Sequence, residues 1–195
     1  MNLIERIDEA RSCWNVLEHP FYASWERGEL TREALSFYAG EYRHAVVALA
    51  DTAAAAGDPA HAAEEASHVS LWDGFAAELE APLDREPTPE TAECADSWRA
   101  RDSLEARALL YAVESSQPDI SRTKLKGLVD HYGFTPRSRG TSYFELHAER
   151  DVEHAAASAA VLREVPAEAE DRLVAVATAA LEGNWKLLDG VVNRI

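Results

Sequence analysis

Apolar positions recur at helical spacing along nearly the whole chain. Leu3, Ile4, Ile7, Ala10, Trp14 and Leu17 mark a first amphipathic helix over about residues 3–16. "HPFYASWERGEL" reads as a short helical turn ending near Gly28, and Thr31 as the N-cap of a long helix reaching about Ala56. Gly57-Asp58-Pro59 stops that helix and starts the next, over roughly 59–80. "APLDREPTPET" (81–91) is the one Pro-rich loop. Helices follow at about 90–100 and 103–116, and Pro118 separates the second from a helix ending near His131. After "GFTPRSRG" come helices at about 141–164 and 167–193. No strand-like alternation occurs, so the expected architecture is all-α, one helical bundle over residues 1–195.

Composition narrows the function classes. The chain of 195 residues can bury a substantial core. Its formal net charge of −16 argues against binding nucleic acid or an anionic membrane, both of which need basic patches. No apolar run approaches membrane-spanning length, and "MNLIERIDEARSCW" lacks the apolar core of a signal peptide. A cytoplasmic location is therefore expected. Cys13 and Cys94 form neither a disulfide framework nor a metal-ligand spacing.

The chemistry lies in a few histidines and carboxylates. In "SYFELHAERDVEHAAASAAVL", His147, Asp151 and His154 stand at i, i+4 and i+7. At about 100° per residue they share roughly a 60° arc of one helix. In "HAAEEASHVSLWDGF", Glu65 and His68 stand at i and i+3, on a stripe continued by Trp72, Phe75 and Leu79. Asp151 and His154 repeat that i, i+3 relation. Two carboxylate-x-x-His pairs on separate helices are a recurring way to hold two metal ions inside a bundle. Glu114, i+4 from Leu110, supplies an inward carboxylate from a third helix.

Three buried carboxylates without compensation would be costly, whereas two divalent cations against them leave about +1. Mixed nitrogen and oxygen ligands suit iron or manganese, and the lack of thiolates argues against structural zinc. Glu64, i+4 from His68, competes with Glu65 as the ligand. His61, in His61-x3-Glu65-x2-His68, is either a ligand or a group behind the ligands. Glu41-Tyr42-Arg43-His44 matches the same short pattern and reads as a chance occurrence.

The order Glu…His, then Glu, then His-x3-Asp-x2-His resembles the haem-oxygenase-like di-iron oxidases. These share a fold with thiaminase II and with the oxidase completing pyrroloquinoline quinone synthesis. The resemblance is closest to the group around the chlamydial protein associating with death domains. "HPFYASWERGELT", "EEASHVSLWDGF", "ESSQPDISRTKLKGLVDHYGF" and "YFELHAERDVEHA" carry it, over most of residues 19–155. The resemblance implies metal ligands at Glu65 (or Glu64), His68, Glu114, His147, Asp151 and His154. It implies an Fe/Fe or Fe/Mn pair working with O2 and an external reductant, and a homodimer.

It also implies self-sacrificing synthesis of para-aminobenzoate. One of the protein's own tyrosines supplies the ring and a lysine the amino group. The matching positions are Tyr22 and Tyr38, with Lys124 ten residues after Glu114. Two departures stand out. Val113 occupies the place of a family tyrosine, and the Glu-to-His spacing on the third long helix is about one turn shorter than in the chlamydial protein. The bland alternatives are core hydroxyls for the two tyrosines and a solvated surface charge for Lys124.

Three other functions compete. One is a di-metal oxygenase acting on an external amine, amino acid or fatty acid. A thiaminase-type hydrolase would need a pocket cysteine, and neither Cys13 nor Cys94 sits at the matching place. The last is a non-enzymatic iron-binding or interaction bundle, although no amphipathic stripe or exposed apolar run points to a partner.

Overall fold

The computed structural model describes residues 1–195. It contains nine α-helices and no strand: α1 (Leu3–Cys13), α2 (Pro20–Glu26), α3 (Arg32–Ala55), α4 (Pro59–Glu78), α5 (Pro89–Ser97), α6 (Ser103–Glu114), α7 (Gln117–His131), α8 (Ser142–Leu162) and α9 (Ala167–Val192). The expected all-α bundle is what forms.

The helix boundaries follow local chemistry. The Thr31 hydroxyl accepts from Ala34 N–H at 3.1 Å and opens α3. Gly57, at φ +78°, turns the chain out of α3 in the left-handed region. Asp58 then accepts from the N–H groups of Ala60 and His61, and Pro59 fills the first position of α4. The first helix is shorter than its periodicity suggests. It ends at Cys13, and a single 3-10 turn, Val16–Glu18, capped by the Asn15 side chain, carries the pattern on to Leu17. Pro118 lies in the first turn of α7, where its missing N–H costs nothing, so the break falls at Ser115–Ser116.

The bundle pairs α3 with α4, α5 with α9, and α6 with both α8 and α9, while α7 lies along α8. The main core is rich in aromatics: Phe21, Tyr22, Trp25, Tyr38, Tyr42, Trp72, Phe75, Trp98, Tyr143 and Phe144 are all buried in one cluster. Each of its three indoles donates to a backbone carbonyl: Trp25 to Lys124, Trp72 to Ala39 and Trp98 to Ala180. A smaller apolar cluster joins α1, α6, α8 and α9 through Leu3, Ile7, Ala108, Leu162 and Leu173. Among these apolar residues, α4, α6 and α8 also bury polar side chains, including His61, Glu65, His68, Glu114, His147, Asp151 and His154.

Candidate metal centre

Three helices contribute to this polar centre: α4 gives His61, Glu65 and His68, α6 gives Glu114 near its C-terminus, and α8 gives His147, Asp151 and His154. All seven side chains are buried. Glu65 is the middle of the group. Its Oε1 lies 3.0 Å from His68 Nδ1, 3.6 Å from His61 Nε2 and 3.9 Å from His154 Nδ1. His61 Nε2 is also 3.0 Å from Glu114 Oε1. The donor atoms fall into two sets, His61–Glu65–Glu114–His154 and Glu65–His68–His147, each with its members within 4.8 Å of one another.

Proximity here does not mean hydrogen bonding. His61 Nε2, both nitrogens of His68, His147 Nε2, His154 Nδ1 and all four oxygens of Glu114 and Asp151 are buried without a hydrogen-bond partner. Buried polar groups are nearly always satisfied, so so many orphans converging from three helices fit the donor set of a bound cation. The outward nitrogens are anchored instead. His147 Nδ1 is 2.7 Å from the carbonyl of Tyr143, which leaves Nε2 facing the centre. His154 Nε2 is 3.3 Å from Glu64 Oε2, and Glu64 is itself held by Arg150 at 2.7 Å.

Electrostatics agree with a centre built for positive charge. Burial, with the neighbouring Glu114 and Glu65, pushes the Asp151 carboxyl up to about 9. Burial pushes Glu114 up to about 7 against the pull of His61. Burial opposes the charged form of His61, yet Glu114 and Glu65 raise it to about 10. Glu65 goes the other way: burial would raise it, but His61 and His68 hold it below the ordinary range. Burial and His68 lower His147 to about 4, so its imidazole is neutral near pH 7.

A second buried group adjoins this one. The Lys124 side chain is 1% exposed, and its Nζ lies 4.6 Å from the Tyr42 ring centroid and 5.3 Å from those of Tyr22 and Tyr38. Trp72 and Phe144 complete the box at 5.6 and 5.7 Å. No carboxylate pairs with the amine, and burial lowers it to about 7. The Tyr22 and Tyr38 hydroxyls are 3.3 Å apart. Aromatic rings connect the two groups: Tyr143 stacks on His147 at 4.0 Å and meets Trp72 at 4.9 Å, and Trp72 meets Tyr42 at 5.0 Å.

A family model described as iron-containing redox enzyme matches residues 20–185. The chain belongs to that family. Among curated proteins, it is 27% identical to the 4-aminobenzoate synthase of Chlamydia muridarum, an alignment covering 99% of this chain and 91% of the relative. It is 28% identical to the 4-aminobenzoate synthase of Nitrosomonas europaea, over 96% of this chain and 89% of that one. Two solved structures share the fold. One is a domain of unknown function with a heme oxygenase-like fold from Shewanella denitrificans (TM-score 0.78, 21% identity, 99% of this chain and 93% of that one). The other is a TenA homolog from Pseudomonas syringae pv. tomato (TM-score 0.77, 17% identity, 98% and 91%).

As a member of the iron-containing redox enzymes, the chain is an oxidoreductase, and its thiolate-free nitrogen and oxygen donors fit iron. Of the residues singled out by spacing, Glu65, His68, Glu114, His147 and His154 come together in the two donor sets. Asp151 is buried on the same stripe of α8 but outside both sets. Between the two candidates on α4, Glu65 faces the centre, and Glu64 lies at the rim against Arg150 and His154. The Glu41–His44 pattern stands apart: Glu41 accepts from Thr88 and His44 meets the Arg85 carbonyl.

Tyr42 and Tyr143 were missed from sequence. Their signal was helical spacing, since Tyr42 is i+4 from Tyr38 and Tyr143 is i−4 from His147. Lys124 had a similar one. It shares a buried stripe of α7 with Ile120 and Leu128. No helix is long and apolar enough to cross a membrane.

Proposed function

We propose that this protein is an oxygen-dependent dinuclear-metal oxidase that forms 4-aminobenzoate from one of its own tyrosines and the amine of Lys124. The metal pair is Fe/Fe or Fe/Mn, with Glu65, His68, Glu114, His147, Asp151 and His154 as ligands. The observation that carries the reading is Lys124, buried without a counter-ion against the rings of Tyr22, Tyr38 and Tyr42. The chain has three lysines in all, and this one is buried among aromatic rings. Relatives spanning nearly the whole chain are 4-aminobenzoate synthases.

Bound there, the metals would supply oxygen reduction and oxidising power, with electrons from an external reductant. The chain's own residues set up the rest. Burial lowers the Lys124 ammonium enough for a neutral, nucleophilic amine near neutral pH. Burial raises the Tyr22 and Tyr38 phenols well above their ordinary value, so neither loses its proton before it is oxidised. The 3.3 Å contact between their hydroxyls gives a released phenol proton an adjacent acceptor. The surrounding rings exclude water that would compete with the amine. A homodimer belongs to the same reading through the fold resemblance.

The test is anaerobic metal loading, then oxygen and reductant, with product analysis and intact mass. Wild type should give at most about one product per chain and lose side-chain mass, because the ring is spent. Many turnovers per chain without mass loss would instead identify an oxygenase of an external amine, amino acid or fatty acid. His147→Ala should abolish product and weaken loading of the metal held by the Glu65–His68–His147 set.

A further inference from the structure

His61 lies outside the six-ligand pattern that the resemblance carries, yet its ring is held as a ligand would be. The Asp58 side chain accepts from His61 N–H at 3.2 Å and fixes the first turn of α4. The ring then points inward and packs on the His154 ring, with centroids 4.0 Å apart. Only 5% of the residue is exposed. Its Nε2 faces two carboxylates from different helices, Glu114 Oε1 at 3.0 Å and Glu65 Oε1 at 3.6 Å, without hydrogen-bond geometry to either.

Those separations have a simple reading. Ligand atoms about 2.1 Å from one ion lie roughly 3.0 Å apart across an octahedral edge and about 3.4 Å across a tetrahedral one. Atoms that close, with no hydrogen bond made by His61 Nε2, match the edges of a coordination polyhedron. An ordinary ion pair would align its N–H with an oxygen lone pair. The other imidazoles divide in the same way. His61 and His154 go with Glu114, His68 and His147 lie on the other side, and Glu65 belongs to both sets.

We infer that His61 is itself a metal ligand, so that this chain binds its two first-row divalent cations through two imidazoles each, with Glu65 shared between them. The inference rests on the metal centre proposed above and adds a nitrogen donor to one half of it. That half then holds His61, His154, Glu114 and Glu65 and has the larger donor set. The Glu65–His68–His147 half keeps its ligands when His61 is removed. Loss of His61 should therefore weaken one metal and spare the other.

The experiment is anaerobic titration of the metal-free full-length chain with Co2+ and with Mn2+, following bound metal by equilibrium dialysis and Co2+ geometry by visible absorption. Wild type should bind two ions per chain. His61→Ala and His61→Phe should each retain one ion at wild-type affinity and bind the second about 10–100-fold more weakly. The phenyl ring preserves the packing on His154 and lacks the nitrogen, so a fold defect in the alanine variant does not spoil the test. Added imidazole should restore the second ion and its Co2+ spectrum in His61→Ala, which a purely structural role would not produce. His44→Ala, away from the centre, should match wild type. Two ions at wild-type affinity and with an unchanged Co2+ spectrum in both His61 variants would overturn the assignment and leave the metal centre standing. A wild-type chain that binds no divalent ion would overturn the metal centre and this inference with it.

Discussion

The hydroxyls of Tyr22 and Tyr38 lie 3.3 Å apart, and the Lys124 amine stands 5.3 Å from the centroid of each ring. Two oxidisable phenols in contact, with one buried amine over both, are a poor choice for packing alone. Burying an amine without a counter-ion is unfavourable unless it is neutral. We expect Tyr22→Phe or Tyr38→Phe to stop 4-aminobenzoate formation while both metals stay bound. The phenyl ring keeps the packing but lacks the phenolic O–H. Metal analysis together with product assay checks this, and undiminished product in the double variant would falsify self-sacrifice.

Lys124 should set the pH dependence of product formation. Only the neutral amine can attack, and burial lowers its titration to about 7. Product formation should therefore rise with pH through about 7, and Lys124→Arg should yield none because guanidinium stays protonated. Rates measured from pH 6 to 8 decide the point, and a flat profile would remove Lys124 from the reaction.

The same burial has a stability consequence of definite sign. Unfolded lysine titrates near 10.4, above the folded value of about 7. Between those values the unfolded chain holds the extra proton, so this group's contribution makes stability rise with pH across that window. Lys124→Met should remove the penalty and stabilise the metal-free protein by a few kcal/mol at pH 7, an effect that fades towards pH 10. Urea unfolding at pH 7 and pH 10 gives the comparison, and a variant less stable than wild type at pH 7 would show that the amine is well accommodated when charged.

Metal loading should release protons. In the metal-free protein, His61 titrates near 10, Asp151 near 9 and Glu114 near 7. Ligands bind as neutral imidazole and as carboxylate, so loading at pH 7 should expel about two protons per chain. Affinity should weaken as pH falls from 8 to 6. Calorimetry in buffers of different ionisation enthalpy counts the protons, and a release of none would exclude this ligand set.

Gly127 permits the close approach that seats α7. A Cβ there would stand 2.5 Å from Trp25 Cδ1 and 3.3 Å from the Trp25 carbonyl oxygen. Trp25 in turn donates to the Lys124 carbonyl at 3.1 Å. Gly127→Ala should destabilise the fold by about 1–3 kcal/mol through overpacking. It should also lower product yield by shifting Lys124, with metal binding unchanged. Thermal unfolding and metal stoichiometry separate the two effects.

Periodicity and caps determined most of the architecture. Thr31, the Gly57-Asp58-Pro59 stop and the stripes of α4 and α8 were legible because a helix is a local object, set by spacing and by the groups at its ends. The stripe of His147, Asp151 and His154 and the pair Glu65 and His68 were legible for the same reason. Spacing gives a side chain's angle about its own helix but not what that face meets. Glu64 and Glu65 are one step apart near the same edge, and only the packing of α4 on α8 put Glu65 at the centre and Glu64 against Arg150. Glu41–His44 carries the same short pattern as Glu65–His68, and its surroundings on α3 are Thr88 and Arg85. His61 joins Glu114 across a separation of 53 residues, a contact created by helix packing. Lys124 is the sharpest case: composition favours a solvated lysine, and the close seating of α7 at Gly127 buries it among aromatic rings instead. Convergence of groups from α4, α6, α7 and α8 depends on how the helices pack, and that is decided by long-range contacts no local pattern encodes.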